Sequence, residues 1–498
     1  MTLTVGGNNA AVVSGGNLTE SGSLVKAGTG TMNVSNANYT GGTTLNTGSG
    51  TTTIRAGNFG SPSSPITAGA NLTLSGGTAT ASTFNLATVG GQTGVGATIN
   101  GTANLTNTST ILGSSGNTAG AMTLNSSGNV NLGAVKVNKD NGGTGNGLII
   151  AGENVVASSV NIGQSGTGNR AADLNITGGT FTIADASQTG MFALHGAAGN
   201  PSMTMSGGTV NYLGTDGMLM SIGAGPSVAN LTGGTANLTG VTLNSGGVAT
   251  TSTLTVNGAS NPTLYLGNVG LVINLPAATV AATFGNGTIG AMTDWASDAP
   301  ITLTNNPIFK AADAANVAHS ITLSNVLSGT GGLTKTGNGK LTLMGANTYT
   351  GNTTVSAGIL DLQQPSLFTN STVSVATGAT LQLSFVGTNQ VAGLVLNGIS
   401  KLVGLYNNST DTAFLTGTGY LLVISTIPTN ISTSVSGNTL TLSWPTDHLG
   451  WHLQIQTNSV TVGLNTNWVT LPGSDTVTST NLTIDPANGS VFYRLVYP

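Results

Sequence analysis

The sequence predicts an all-β protein: a β-solenoid (a parallel β-helix) over residues 1–425, followed by a small C-terminal β-sandwich over residues 428–498. Three observations predict this fold class. Apolar and hydroxyl residues alternate in short segments, glycine and asparagine separate these segments, and related segments recur along the chain. Alternation at every second position places apolar side chains on one face of a strand, and regular recurrence is typical of stacked coils.

Residues 331–358 show the first two of these observations. Apolar and hydroxyl residues alternate in residues 340–344 and 353–357, while Gly337-Asn338-Gly339 and Gly345-Ala346-Asn347 lie between them. Glycine and asparagine tolerate the positive φ that tight turns require. We therefore expect short, half-buried strands joined by tight turns.

This stretch has a second copy near the start of the chain. At a constant offset of 309, eight residues match: Leu24, Lys26, Gly28, Gly30, Met32, Val34, Ala37 and Asn38 correspond to Leu333, Lys335, Gly337, Gly339, Leu341, Leu343, Ala346 and Asn347. After a gap of one residue, residues 39–41 and 43–45 match residues 349–351 and 353–355. Shared order and spacing indicate the same structural element twice. Neither Lys335 nor Lys340 has an explanation in the strand pattern.

The two copies, residues 22–54 and 329–362, resemble the autotransporter-associated β-strand repeat of secreted bacterial β-solenoid proteins and autotransporter passengers. The resemblance implies a right-handed β-helix at the cell surface or outside the cell, often adhesive or structural, with no shared catalytic residues. The segments SGNTLTLSWP and GSVFYRLVYP resemble the terminal module of secreted Verrucomicrobia-type proteins and, more loosely, fibronectin type III domains. That second resemblance implies no ligand.

A different repeat occupies the middle of the chain. Residues 174–180, 203–209 and 229–235 each contain a short strand, a Gly-Gly pair and a threonine. The short strands upstream of these copies end in Gly163, Gly196 and Gly223, and these intervals of 33 and 27 residues are of the size expected for one solenoid coil with a corner at Gly-Gly. The high frequency of glycine along the chain also argues against helices, because each glycine inside a helix costs up to about 1 kcal/mol.

Charge is scarce: the chain of 498 residues has 10 basic and 14 acidic residues, a net charge of −4 and no cysteine. In a stack of coils, equivalent residues lie about 4.8 Å apart, so a charge repeated in register would repel its own kind. Thr, Ser and Asn can stack instead. The alternative explanation for the scarcity of charge is that the source organism favours neutral polar residues.

The same composition excludes several partners and sites. Without a run of basic residues, nucleic acid is a poor partner, and no apolar run reaches the ~20 residues that a membrane-spanning helix needs. Residues 1–16 lack the pattern of a signal peptide, so we expect that a signal peptide has been removed and that the protein is extracellular. We expect no cofactor and no metal site.

The composition changes near residue 425, and three of the four tryptophans follow: Trp444, Trp451 and Trp468. Trp444 and Trp451 lie within predicted strands and are expected in the core of the sandwich. Trp468 is the candidate contact for a carbohydrate, because an exposed indole can stack on a sugar ring.

No residues are assigned to catalysis. Asp447, His448 and His452 could in principle form an acid–base pair or a metal site, but their spacing matches no metal motif, and a solvated turn is the preferred interpretation. His195 and His319 are expected to be hydrogen-bonded surface residues. Enzymes with β-helix folds often use clustered carboxylates, but here only Asp173 and Asp185, with Arg170 nearby, could approach one another.

Three functions remain open. The leading hypothesis is a non-enzymatic structural or adhesive protein whose solenoid joins head to tail into filaments, a homopolymer formed through the chain ends. The second is a carbohydrate-binding surface protein, in contact with a polysaccharide or the cell surface, in which the solenoid is a spacer. The third is a polysaccharide-degrading enzyme that would depend on Asp173 and Asp185.

Overall fold

The structure is a computed structural model. It describes the whole chain except residues 1, 7–10, 14–17, 47, 89–93, 114–119, 139–145, 153, 164–171, 184–191, 196–199, 224, 247–250, 275–279, 426–428 and 497–498, and it gives only the backbone of residues 11–13, 18–20 and 146. The chain forms two compact units: residues 1–327 with 337–341, and residues 328–336 with 342–498. The described residues contain strands and two 3-10 turns, and no α-helix.

The first unit is a stack of coils with three walls of parallel strands. The first wall consists of Ala11–Val13, Met32–Val34, Thr52–Ile54, Leu72–Leu74, Val95–Gly101, Gly120–Ser126, Asn146–Ile150, Ala172–Ile176, Ser202–Met205, Ser227–Leu231, Ser252–Val256, Val280–Phe284 and Ile301–Leu303. Each of these strands pairs in parallel with the equivalent strand of the next coil, which is the pairing that defines a solenoid.

The other two walls follow the first in each coil. The second wall consists of Leu18–Glu20, Ala37–Tyr39, Asn58–Gly60, Asn129–Asn131, Asn154–Ala157, Thr180–Ile183, Thr209–Tyr212, Thr288–Ala291 and Ile308–Lys310. The third wall consists of Thr2–Val5, Ser23–Lys26, Thr43–Leu45, Ile66–Ala68, Ala134–Val137, Ser159–Ile162, Phe192–Leu194, Met218–Met220, Trp295–Ser297 and Ile321–Leu323. Four long strands contribute to both walls: Thr78–Leu86, Asn104–Leu112, Thr235–Leu243 and Thr263–Ile273.

Two columns of side chains show how the first wall is built. The inward column is apolar and buried: Val34, Ile54, Leu74, Ile99, Leu124, Ile150, Ile176, Met205, Leu231, Val256, Phe284 and Leu303. The neighbouring outward column is uncharged: Asn33, Thr53, Thr73, Thr98, Thr123, Ile149, Asn175, Thr204, Asn230, Thr255, Thr283 and Thr302. This confirms that neutral polar residues, above all threonine, stack in register.

The Gly-Gly corners of the central repeat also lie in register. Thr180, Thr209 and Thr235 pair with one another in successive coils. The second glycine of each pair has a φ in the left-handed region: 65° at Gly179, 73° at Gly208 and 76° at Gly234. A Cβ atom at Gly234 would lie 2.5 Å from the carbonyl oxygen of Gly208, so both the backbone conformation and the close approach of the preceding coil require glycine.

The second unit also begins with parallel coils. One series comprises Leu333–Thr336, Thr353–Val355, Thr372–Val375 and Gly393–Leu396; another comprises Ile359–Leu362, Thr380–Leu383 and Leu415–Gly417; a third comprises Thr388–Val391 and Tyr420–Val423. Two short strands then pair in the opposite direction: Ile399–Ser400 along Gly393–Leu396, and Gly404–Tyr406 along Tyr420–Val423. Two further strands, Leu327–Ser328 and Lys340–Leu343, contain residues of both units.

The C-terminal segment has two three-stranded antiparallel sheets. One sheet orders Ser432–Ser436, Thr439–Ser443 and Ser479–Thr483; the other orders Val469–Thr470, His452–Asn458 and Ser490–Val496; the 3-10 turns are Thr446–His448 and Ser474–Thr476. Leu442, Trp444 and Leu453 form a buried cluster that residues of both sheets contact.

The predicted all-β solenoid is thus confirmed, while the β-sandwich stays a prediction. No helix in the described ranges is long and apolar enough to cross a membrane.

Candidate functional site

The candidate ligand-binding surface lies on the C-terminal segment, where Trp468 meets Arg494. The Cζ atom of Arg494 lies 4.3 Å from the centre of the Trp468 ring, a cation–π contact. The Arg494 guanidinium donates from Nε and Nη2 to Oε1 of Gln454, at 2.9 and 2.8 Å. Gln454 Nε2 in turn donates to Oγ1 of Thr470 at 3.1 Å. We call these four residues the Trp468–Arg494 cluster.

The strand register explains why the cluster forms. Gln454 is the pairing partner of both Arg494 and Thr470 in the antiparallel sheet, and directly paired side chains project from the same face. Arg494 is exposed, whereas Trp468 is half-buried. The guanidinium therefore covers one face of the indole and is held there by the amide oxygen.

A cavity of about 570 Å³ lies beside this cluster. Its lining is mainly apolar, and the lining residues are Ile431, Thr433, Leu442, Leu464, Trp468, Val491, Phe492, Tyr493 and Arg494. Partial burial raises the pKa of the Tyr493 phenol above its ordinary value. The volume falls in the range of small-molecule sites, and Arg494 is the only charged residue in the lining.

The three tryptophans of this segment lie in different environments. Trp444 and Trp451 are buried, as predicted, and the Trp451 indole N–H donates to the carbonyl oxygen of Ser425 at 2.7 Å. Trp468 borders the cavity, but its role as a carbohydrate contact stays a prediction. Its partner Arg494 could not be found from the sequence, because only the pairing register brings these two residues together.

The predicted solvated turn at Asp447 and His448 is only partly right. The two residues lie in a 3-10 turn, and His448 Nδ1 is 2.7 Å from Oδ1 of Asp447. However, His448 is buried, and its ring lies 4.8 Å from that of Trp451. Its imidazole therefore packs in the interior against the ring of Trp451. His452 lies on the following strand and pairs with Val496.

The other candidate residues of the first unit have structural partners. Asp173 Oδ1 accepts a hydrogen bond from Ser202 Oγ at 2.7 Å; its proposed companions Asp185 and Arg170 lie outside the described residues. His195 was expected at the surface but is buried, with Nε2 3.0 Å from Asn161 Oδ1 on the preceding coil. His319 Nδ1 lies 3.7 Å from Asp294 Oδ1.

The lysine and tyrosine of each repeat copy point into the coil. Lys335 is buried and donates from Nζ to the carbonyl oxygens of Thr336 and Ala357, both at 2.9 Å. Its equivalent Lys26 is also buried and donates to the carbonyl oxygen of Gly28. Burial lowers the pKa of Lys335 to about 8, because a low-dielectric interior disfavours the charged form. One of the two lysines without an explanation in the sequence is thus an internal donor to backbone carbonyls.

The tyrosines make the same buried hydrogen bond in both copies. Tyr39 OH lies 2.6 Å from Thr43 Oγ1, and Tyr349 OH lies 2.7 Å from Thr353 Oγ1. Burial raises the pKa of both phenols to about 12. Both hydrogen bonds lie inside a coil and stabilise it.

Within the described part of the chain, no group of three or more His, Asp or Glu side chains is placed to hold a metal ion. The contacts above define a class of protein: a β-solenoid that carries two copies of one structural repeat.

Comparison with known proteins is consistent with this class. Residues 24–49 and 333–362 match the family described as Passenger-associated-transport-repeat, which confirms the predicted resemblance to autotransporter-associated repeats. Part of the chain is 35% identical over 108 residues to the "Adhesin BmaC autotransporter" of Brucella suis biovar 1 (strain 1330), which is 21% of this chain and 3% of that protein. The chain therefore spans only a small fraction of that relative's length. No solved structure matches the chain significantly.

Proposed function

We propose that this chain is a non-enzymatic, adhesin-like part of a secreted or cell-surface protein, in which the β-solenoid serves as a scaffold. The observation that carries the proposal is that both segments matching the Passenger-associated-transport-repeat form the same coil element with inward-facing Lys and Tyr. The similarity to a Brucella protein named as an adhesin supports it. The neutral outward column of the first wall offers a long surface of threonine and asparagine for contact.

Retention on surfaces tests this proposal. The purified chain should bind saturably to at least one member of a panel of immobilised glycans and extracellular-matrix proteins, and the heat-unfolded chain should not. It should release no reducing ends from acidic polysaccharides. Hydrolysis that is lost in an Asp173→Ala variant would contradict the non-enzymatic assignment.

We propose that the chain divides functionally into residues 1–425 and 428–498, with the second part forming a β-sandwich. Support comes from the two antiparallel sheets and their shared buried cluster of Leu442, Trp444 and Leu453. Limited proteolysis should release a stable C-terminal fragment that corresponds to residues 428–498.

We further propose that the chain assembles end to end into filaments. The strand Thr2–Val5 has exposed side chains at Thr2, Leu3 and Thr4, and among the described residues it pairs only with Ser23–Lys26. In the second unit, antiparallel strands cover Gly393–Leu396 and Tyr420–Val423. A joining contact would therefore use Leu415–Gly417, whose one partner among the described residues is Leu381–Leu383.

A proline substitution tests the assembly without breaking the coil. Ala27 N donates to Val5 O, so in a parallel ladder the N–H of Thr4 points away from Ser23–Lys26. Thr4→Pro would remove a donor needed only for a joining contact, whereas Thr4→Val keeps it. Electron microscopy should show filaments for the wild type and Thr4→Val but not for Thr4→Pro. Monomers of wild type at all protein and salt concentrations would exclude assembly.

A carbohydrate site at Trp468 is the second candidate, favoured by the half-buried indole at the mouth of the 570 Å³ cavity. Because Arg494 covers one face of the ring, a sugar would stack on the other. Trp468→Ala should then abolish glycan binding while leaving the fold intact.

A further inference from the structure

The strand Ser490–Val496 is an open edge of the C-terminal segment. In its sheet it pairs with His452–Asn458 alone, over seven consecutive residues without a shift of register. It is the longest of the four edge strands of the two antiparallel sheets; the others are Val469–Thr470, Ser432–Ser436 and Ser479–Thr483. A long, regular edge strand without proline is a site at which another strand can pair.

Three residues of this strand direct their backbone N–H and C=O groups towards the open edge. Leu453 fixes the alternation, because its carbonyl oxygen accepts from Leu471 N at 2.8 Å, on the side of Val469–Thr470. The residues on either side of Leu453 therefore face Ser490–Val496 and exchange hydrogen bonds with their pairing partners. The alternate residues point the other way, and none of their backbone groups has a hydrogen-bond partner within the described part of the chain: Val491, Tyr493 and Leu495.

The side chains of this strand leave the edge unprotected. Sheet edges are often protected by charged side chains, but Arg494 is the one charged residue of the strand, and its guanidinium is held by Trp468 and Gln454 of its own chain. Five of the other six side chains are apolar or aromatic. By contrast, the two five-residue edge strands of the other sheet contain one aliphatic residue each among Ser, Thr and Asn.

We propose that Ser490–Val496 pairs antiparallel with the same strand of a second copy, about a two-fold axis at Tyr493. In this register Val491 lies opposite Leu495 of the second copy, and Tyr493 lies opposite its own equivalent. All the outward backbone groups of these three residues then gain a partner, and the two three-stranded sheets become one sheet of six strands. An axis at Phe492 or at Arg494 would pair only two of the three residues within the strand.

Charge favours the same register. Residues 492 and 494 project from one face of the strand, and an axis at Tyr493 places Arg494 of one copy opposite Phe492 of the other, so a cation faces an aromatic ring. An axis at Arg494 would place two guanidinium groups opposite each other, which is destabilising. The strand is therefore complementary to itself, as an isologous contact requires. For this reason a second copy fits the edge better than an unrelated extended peptide does.

This contact is independent of the adhesin-like function and of the end-to-end contact at Thr2–Val5. Thr4→Pro removes a donor needed for the end-to-end contact and leaves Ser490–Val496 unchanged. Sedimentation velocity of the full chain with Thr4→Pro therefore measures the edge contact alone, and it should show a monomer–dimer equilibrium. Loss of filaments in Thr4→Pro together with retained dimers would separate the two contacts.

A second proline tests the edge itself. The N–H of Val491 points to the open edge, a position at which an edge strand tolerates proline. Val491→Pro, added to Thr4→Pro, should raise the dissociation constant of the dimer about tenfold or more, because each copy loses one donor to the other. The matched control is Val491→Thr, which keeps both the donor and the β-branched side chain and should dimerise like Thr4→Pro alone. Circular dichroism of both variants checks that the fold is kept.

Cysteine cross-linking tests the register without proline. The chain has no cysteine, so a disulfide reports only the introduced residues. A mixture of Phe492→Cys and Arg494→Cys copies should cross-link on oxidation, because opposite Cα atoms about 4.5 Å apart are within disulfide range. Either variant alone should cross-link little, since its two cysteines would lie on a diagonal, about 7–8 Å apart.

Three results would overturn the proposal: a monomer at every soluble concentration, a dimer that Val491→Pro retains with its affinity unchanged, or a mixture that cross-links no more than the single cysteine variants do. A monomeric chain that binds unrelated extended peptides, and loses them in Val491→Pro, would assign the edge to a different partner and would also exclude the dimer.

Discussion

The two copies of the repeat differ in their turns and agree in what they bury. Leu24 and Lys26 pair with Thr43 and Leu45 in the first copy, and Leu333 and Lys335 pair with Thr353 and Val355 in the second. The register is the same although the spacing along the chain differs by one residue. In each copy an inward lysine donates to carbonyl oxygens and a buried tyrosine bonds to a threonine.

The additional residue of the second copy, Thr348, is exposed and lies outside any strand. The first copy has a strand at Ala37–Tyr39, which stacks Tyr39 on Phe59 with ring centres 5.6 Å apart; residues 346–350 of the second copy form no strand. The comparison teaches that inward contacts and strand register define this repeat. Turns can change length because they lie at the surface.

The largest effect is expected from removing the buried tyrosines. Tyr349→Ala should lower the free energy of unfolding by about 3–5 kcal/mol, as is usual when a large buried aromatic residue is truncated. Tyr39→Ala should cost a similar amount if both copies depend on the same contact. Urea unfolding of both variants measures this. Thr348→Ala, at an exposed position, serves as the control and should change little. A loss below about 1 kcal/mol in one copy alone would show that only the other relies on its tyrosine.

The next effect concerns pH and Lys335. In the folded protein burial lowers the pKa of Lys335 to about 8, against an ordinary value of 10.5. Between these values the unfolded chain holds more protons, so stability rises with pH, by about 1.4 kcal/mol per unit. Below pH 8 the cost of burying the charge is present in full.

Urea midpoints at pH 8.0 and 9.5 measure this effect, and the midpoint should be higher at pH 9.5. Lys335→Met keeps the volume, removes the titrating group and should abolish the rise. Lys26→Met leaves Lys335 in place, so the rise assigned to Lys335 should persist. A midpoint that falls between these pH values in the wild type would contradict the sign.

A smaller effect is expected from the tyrosine hydroxyls. Tyr39→Phe and Tyr349→Phe each leave a buried threonine hydroxyl without its partner and should cost about 1 kcal/mol. Thermal unfolding of the two variants should give nearly equal shifts, because the two O–O distances, 2.6 and 2.7 Å, are alike. A shift in only one variant would show that the shared hydrogen bond does not contribute equally.

The sequence predicted the solenoid because its signals are local. Alternation fixes which residues of Leu72–Leu74 face inward, and the Gly-Gly pairs mark corners that the backbone requires. The repeat at an offset of 309 was visible because both copies keep one spacing over most of their length. These features need no knowledge of distant contacts.

The candidate site was less predictable. Arg494 lies over Trp468 only because its strand pairs with His452–Asn458, and no local pattern encodes that register. The buried positions of His195 and His448 depend on neighbouring coils and on Trp451. The inward direction of Lys26 and Lys335 follows from alternation with Leu24 and Leu333. Their burial was not predicted, because lysine side chains usually lie in solvent.

The smallest expected effect tests why the outward columns are neutral. Thr44 pairs with Thr67 in the first copy, and Thr354 pairs with Ser374 in the second. A single Thr44→Lys or Thr354→Lys change should alter the free energy of unfolding by less than about 0.5 kcal/mol, as at most surface sites. The double changes Thr44→Lys/Thr67→Lys and Thr354→Lys/Ser374→Lys place like charges in register and should cost roughly 0.5 kcal/mol more than the sum of the single changes.

Salt distinguishes repulsion from the loss of threonine packing. The excess cost of each double variant should shrink between 0.05 and 1 M sodium chloride, where the screening length falls to about 3 Å. Thr44→Gln/Thr67→Gln, which adds long neutral side chains at the same positions, should show no such salt dependence. If the lysine pair in either copy is additive at low salt, stacking of like charges is not the reason for neutrality there, and a general preference of the source for neutral residues explains the composition better.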